Sequence, residues 1–217
     1  MNIVDDITLL TAAFNRHDIT LYMLKSFNKM MQRAIPAMIL DNSTTMPLGI
    51  QSTPVLTIIN NCNFTHTPNY GQASPNHCSS LEYAMQLIKT RYVLLCDNDI
   101  LFKPAIKSLL ATPVGSFHAC GEIGWDIVPP NRLFPYMCII DLAKKRNDNI
   151  SYFDWNRICL PNRNSNDTGA SFLQDIQAKH WSIKPIALND YCVHMKGVSL
   201  HQKDTNEWYK MYTHLYN

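Results

Sequence analysis

Apolar and polar positions alternate along the first two-fifths of the chain in a strand–helix rhythm. Residues 7–14 form a buried apolar run that ends in the polar turn Asn15-Arg16-His17-Asp18. Asp18 suits a helix N-cap, and Leu21, Leu24, Phe27, Met30 and Met31 follow at spacings of three and four. Short apolar runs at 37–41 and 55–59 each stop at a polar cluster, Asn42-Ser43-Thr44 and Asn60-Asn61. A stretch rich in Asn, Pro and Gly reaches to Pro75. Beyond it a helix is predicted with Cys78, Leu81, Met85 and Ile88 on one face, and a buried strand over 92–96 follows.

Strands that end in polar loops and return through helices imply an α/β fold, a mostly parallel central sheet covered by helices on both faces. Ligands of such sheets bind beyond the carboxyl ends of the strands. Asn15, Arg16, Asp41, Asn42, Asp97 and Asp99 all fall at such ends. The second half is less regular. Pro113, Pro129-Pro130, Pro135 and Pro161 interrupt it, with strand-like runs at 136–142 and 191–195 and a helix from about 169 to 180. The aromatic, amphipathic tail at 205–216 is expected to pack on the body. No repeat, low-complexity segment or linker divides the chain, so its 217 residues are expected to form one domain.

Composition narrows the function classes. A net charge of +2 with scattered basic residues gives no basis for nucleic-acid binding, and Lys144-Lys145-Arg146 reads as a solvated helix end. The seven cysteines are an odd number without C-x-x-C spacing, and several lie in apolar runs. That favours a reducing compartment over a disulfide framework or a zinc site. The N-terminus has no basic and apolar leader, and no apolar run is long enough to span a membrane. The expectation is a soluble, cytoplasmic protein. Neither G-x-x-x-x-G-K-[ST] nor G-x-G-x-x-G occurs, which leaves the usual ATPase and NAD readings unsupported.

The chemistry concentrates at Asp97-Asn98-Asp99, where a buried strand runs straight into two carboxylates with no Lys or Arg between Arg91 and Lys103. Charge beside a core is costly unless paired. The acids either end the strand in a turn or hold a divalent cation that itself holds a diphosphate. Oxygen ligands of this kind suit Mg²⁺ or Mn²⁺.

Several landmarks, taken in order, resemble a nucleotide-sugar glycosyltransferase of the GT-A (Rossmann-like) fold, close to the family 2 type. They are Thr11-Ala12-Ala13-Phe14-Asn15-Arg16, Asp41-Asn42-Ser43, Asn69-Tyr70-Gly71, Ser74-Pro75-Asn76-His77, Asp97-Asn98-Asp99, Asp167-Thr168-Gly169 and His194-Met195-Lys196-Gly197. The resemblance implies a single catalytic domain. About 1–102 would bind the nucleotide-sugar, and about 103–217, with the tail, would form the acceptor side. It implies that Asp99 ligates the cation, that Asp97 contacts ribose or joins through water, and that His194 completes the site. An imidazole ligand favours Mn²⁺ over Mg²⁺. His194 has an alternative as a buried strand histidine.

The resemblance further implies that Asp167 is the base of an inverting transfer, although Asp is also a good helix N-cap. Asp154 and Asp175, and behind them Asp126, are the other acids available. Thr11, Phe14, Asn15, Arg16, Asp41, Ser74, His77 and Asn98 complete the implied donor site, with UDP the default nucleotide. His77 faces the nucleotide or caps its helix. Residues 121–126 and 131–136 line the acceptor side, where Trp125 and Tyr136 could stack on a sugar or belong to the core. The partners implied are a nucleotide-sugar and a glycan or glycoconjugate acceptor, and the chain either transfers a single sugar or is part of a longer multidomain transferase. Two other classes stay open, a sugar-phosphate nucleotidyltransferase and an inactive carbohydrate-binding module. The absence of glycine from 11–18 argues against the former.

Overall fold

A computed structural model of the chain describes residues 1–13, 16–43, 49, 51–60, 73–124, 131–152, 169–195, 210 and 212–214, with the backbone alone at 17, 60 and 73–79. The elements that carry the fold are β1 (Ile7–Ala13), α1 (His17–Met31), β2 (Ala37–Asp41), β3 (Leu56–Asn60), α2 (Ala73–Leu87), β4 (Tyr92–Cys96) and β5 (Ile100–Phe102). They continue with α3 (Ala105–Leu110), β6 (Ala119–Gly124), β7 (Arg132–Asp141), α4 (Leu142–Asn147), α5 (Ala170–Ala178), β8 (Ile183–Pro185), α6 (Leu188–Tyr191) and β9 (Cys192–His194).

Seven strands form one sheet in the order β3-β2-β1-β4-β7-β6-β8. β3, β2, β1 and β4 run parallel, β7 is antiparallel to both β4 and β6, and β6 runs parallel to β8. The sheet is therefore mostly parallel, as the apolar runs imply. Strand residues alternate between two cores. Ile7 and Leu9 of β1 and Tyr92, Leu94 and Cys96 of β4 pack with Met23 and Phe27 of α1 and Ile106 of α3. Leu10, Val93 and Leu95 pack on the other face with Leu81 and Met85 of α2 and Phe172 and Ile176 of α5. Helices thus cover both faces.

Some boundaries and faces differ from the sequence pattern. The buried stripe of α1 is Ile19, Met23, Phe27 and Met31, while Leu21 and Leu24 are half-buried. Steps of three fall short of the 3.6-residue turn, so a run of threes walks around the helix while i, i+4 steps hold one face. The third strand is Leu56–Asn60, one residue later than its apolar run. α5 begins at Ala170 and ends at Ala178. β7 starts at Arg132 and passes through Pro135. Its pairing with β6 steps from Gly121↔Cys138 to Ile123↔Leu133, and its pairing with β4 covers only 137–141. Pro135 therefore sits where the ladder asks for no N–H.

The four cysteines whose side chains are described, 96, 120, 138 and 192, are free and buried. Tyr212 of the tail meets Tyr22 of α1 edge-on, with ring centroids 4.7 Å apart. No helix among the described residues is long and apolar enough to cross a membrane.

Candidate active site

β4 delivers Asp97 to the edge of the sheet, where its N–H donates to Tyr136 O of β7 at 3.1 Å. Asn98 follows and its amide is committed to α1, donating to Thr20 Oγ1 at 3.2 Å. The Thr20 hydroxyl in turn donates to the Arg16 carbonyl at 2.9 Å. This buried link ties the turn after β4 to the start of α1. β5 then begins at once. Buried Ser26 of α1 accepts from Phe102 N–H at 3.2 Å and donates to Met23 O at 2.7 Å.

β5 pairs antiparallel with β9, which sets Ile100 opposite His194. Met195 N–H closes the ladder on Asp99 O at 3.0 Å. A three-residue strand from the far end of the chain thereby brings His194 to the acids. Its Nε2 lies 3.2 Å from Asp99 Oδ1 and 3.6 Å from Asp97 Oδ2. One donor atom from each of the three residues falls within 4.8 Å of the others.

Cis ligands of an octahedral cation with bonds of ~2.1 Å lie ~3 Å apart, so these spacings fit a divalent ion. Without one, His194 serves as the counter-charge. Burial acts to lower its pKa, but the close carboxylates of Asp97 and Asp99 outweigh it and raise the value to about 9. Proton and metal thus compete for the same imidazole lone pair. The neighbouring thiols do not enter the contest. Burial pushes Cys192 up to about 12, and burial followed by the charge of Asp97 pushes Cys96 well up, so both stay protonated near neutral pH. Two carboxylates and an imidazole form a donor set suited to Mn²⁺ or Mg²⁺.

β7 adds a column that sequence reasoning treated only as an acceptor-side segment. Arg132, Phe134 and Tyr136 share one face of the strand. The Tyr136 ring lies on His194, with centroids 4.3 Å apart and planes 31° apart. Phe134 stacks on Tyr136 at 5.3 Å and 9°. The Arg132 guanidinium sits over both rings, 5.0 Å from Phe134 and 5.7 Å from Tyr136, and donates to the Tyr136 hydroxyl at 3.2 Å. The signal was the alternation Arg-x-Phe-x-Tyr, obscured by the proline inside it.

The other expected donor residues are placed as follows. Thr11 is wholly buried within β1. Arg16 makes a two-pronged pair with Asp18, Nε to Oδ1 at 3.1 Å and a terminal nitrogen to Oδ2 at 3.0 Å. Asp41 ends β2 beside Ala13 and, nearly buried, accepts from Ser43 N–H at 3.0 Å, the turn its sequence also allowed. The buried amide of Asn98 points to Thr20 rather than joining the acids. Ser74 and His77 lie in the first two turns of α2, outside the described side chains, and Asp175 is half-buried in α5. Phe14, Asn15, Trp125, Asp126, Asp154 and Asp167 lie outside the described residues. Of the expected set, the structure brings together Asp97, Asp99 and His194.

No protein-family profile and no curated protein sequence matches the chain. Solved structures do. The apo form of the glycosyltransferase GlyE of Streptococcus pneumoniae TIGR4 is similar at 11% identity and a TM-score of 0.52, over 81% of this chain and 44% of that one. Residues 1–349 of S. aureus TarS, in complex with UDP, are similar at 12% identity and 0.54, over 86% and 59%. The mannosyltransferase PcManGT of Pyrobaculum calidifontis, in complex with GDP-Man and Mn²⁺, is similar at 10% identity and 0.57, over 94% and 59%. The chain thus spans about half the length of these structures. At such identities the likeness establishes the fold, which is that of GT-A nucleotide-sugar glycosyltransferases.

Proposed function

We propose that the chain is a metal-dependent glycosyltransferase that moves a sugar, with inversion, from a nucleotide-diphosphate donor to a hydroxyl of a glycan or glycoconjugate. The observation that carries this reading is the Asp97–Asp99–His194 cluster at the carboxyl edge of a GT-A sheet. A divalent ion bound there would supply positive charge to the departing diphosphate.

The chain's own residues do the rest. Asp99, nearly buried, offers one carboxylate oxygen beside His194, and the more exposed Asp97 offers another. The β5–β9 ladder and the Asn98–Thr20–Arg16 link hold them in place. Arg16, at the start of α1, supports the donor phosphates. UDP is the proposed nucleotide. Residues 1–102 form the donor half and 103–217 the acceptor half, where 121–124 and 131–136 run along β6 and β7.

Asp167 is the proposed base that takes the acceptor hydroxyl's proton as the oxygen attacks the anomeric carbon. Its support is its position two residues before Gly169, the residue that seats the start of α5 against Leu133 of β7. Tyr136, which touches His194, is on that same strand.

The test is turnover of UDP-sugars with Mn²⁺, followed as UDP release. Asp167→Asn is expected to bind donor like the unaltered protein and to lose transfer by about a hundredfold or more. Normal turnover by this variant would remove Asp167 from the mechanism.

A further inference from the structure

We infer that Tyr136 is a positioning residue that holds the His194 imidazole in its metal-binding orientation by stacking, a role that rests on reading Asp97, Asp99 and His194 as a cation site. A histidine that ligates a metal usually donates its second ring N–H to a carboxylate or carbonyl, which fixes both tautomer and ring angle. Among the described residues His194 lacks that support. Its Nε2 faces the two acids, while Nδ1 is buried and has no hydrogen-bond partner among the described residues. Among the described residues nothing polar therefore fixes the ring from its Nδ1 side.

Packing takes that place. The Tyr136 ring lies against the imidazole with centroids 4.3 Å apart and planes tilted by 31°, a partly stacked contact. Tyr136 is itself held on three sides. Its carbonyl accepts from Asp97 N–H, Phe134 stacks behind it with nearly parallel planes, and Arg132 donates to its hydroxyl while lying over both rings. The backbone bond is the telling one. The same residue that orients the imidazole also pins the chain at Asp97, so ring and carboxylate are registered to one point on β7.

The role predicts a specific dependence on the ring and little on the hydroxyl. The probe is Mn²⁺ alone, titrated into the full chain with the free ion followed by electron paramagnetic resonance, well below each variant's unfolding midpoint. Tyr136→Leu and Tyr136→Met, which fill volume without a planar face, are expected to weaken Mn²⁺ binding about tenfold. Tyr136→Phe, which keeps the face, is expected to stay within about twofold of the unaltered protein. A residue serving only the core would lower the unfolding temperature in the same variants and leave the affinity of the folded protein unchanged. If either Leu or Met folds and binds Mn²⁺ as the unaltered protein does, the inference is overturned while the cation site stands. If the unaltered protein binds no Mn²⁺, both fall together.

Discussion

His194 Nε2 stands 3.2 Å from Asp99 Oδ1, although Asp99 lies in the turn between β4 and β5 and His194 ends β9 in the opposite half of the chain. The pairing of β5 with β9 creates that contact, and in the metal-free protein it gives the two carboxylates their positive partner. The same atoms that hold a proton in the metal-free protein are those a cation would take.

The proton linkage has a definite sign. The pKa of His194 is raised to about 9 in the metal-free fold, above its ordinary 6.5, because the close carboxylates of Asp97 and Asp99 overcome burial. Its contribution to stability is therefore complete below pH 6.5 and is lost as pH rises through 9. With chelator present, the unfolding temperature of the unaltered protein is expected to fall over that window, and that of His194→Gln to fall less. Metal runs the other way. Mn²⁺ affinity should rise with pH to about 9, with a proton released on binding that appears as a buffer-dependent calorimetric heat. A buffer-independent heat at pH 7 would contradict the competition.

Gly169 adopts φ +88° at the start of α5, and a Cβ added there would run into the Leu133 carbonyl. A side chain meets both the left-handed backbone penalty and a clash with a strand that cannot retreat. Gly169→Ala is expected to cost about 2 kcal/mol or more in denaturant unfolding. An unchanged midpoint would mean that the contact with β7 is slack.

Glu82 of α2 joins two other segments. Its Oε1 accepts from nearly buried Lys145 Nζ at 2.6 Å and its Oε2 accepts from Tyr152 N–H at 2.7 Å. Removing the acid strands a lysine charge in a low-dielectric site. Glu82→Ala is expected to destabilise by about 3 kcal/mol or more, and Glu82→Leu with Lys145→Met to recover most of that. Equal stability of Glu82→Ala and the unaltered protein by chemical denaturation would show that Lys145 finds another acceptor.

Much of the parallel half was legible because buried parallel strands are continuous apolar runs. Residues 92–96 could hardly be anything else, and the acids after them announced a site by their cost. The three-residue strands β5 and β8 are too short for any periodicity to register, whereas β9 falls within the strand-like run at 191–195. His194 could be tied to the acids only through resemblance, since a long-range pairing puts it there. The motif reads as three adjacent polar residues, and the fold turns the amide of the middle one, Asn98, toward Thr20 of α1. The Arg132–Phe134–Tyr136 column was hidden by Pro135, whose missing N–H matters only where a ladder partner exists.

The most direct measurement is calorimetric titration of the protein with UDP, GDP and dTDP, each with and without Mn²⁺, alongside Asp99→Ala. The account predicts that UDP binds with Mn²⁺ and weakens at least about a hundredfold without it, and that Asp99→Ala abolishes the difference while the protein stays folded. Nucleotide binding of equal strength with and without Mn²⁺, or unaltered in Asp99→Ala, would contradict a metal-bridged donor site at Asp97, Asp99 and His194.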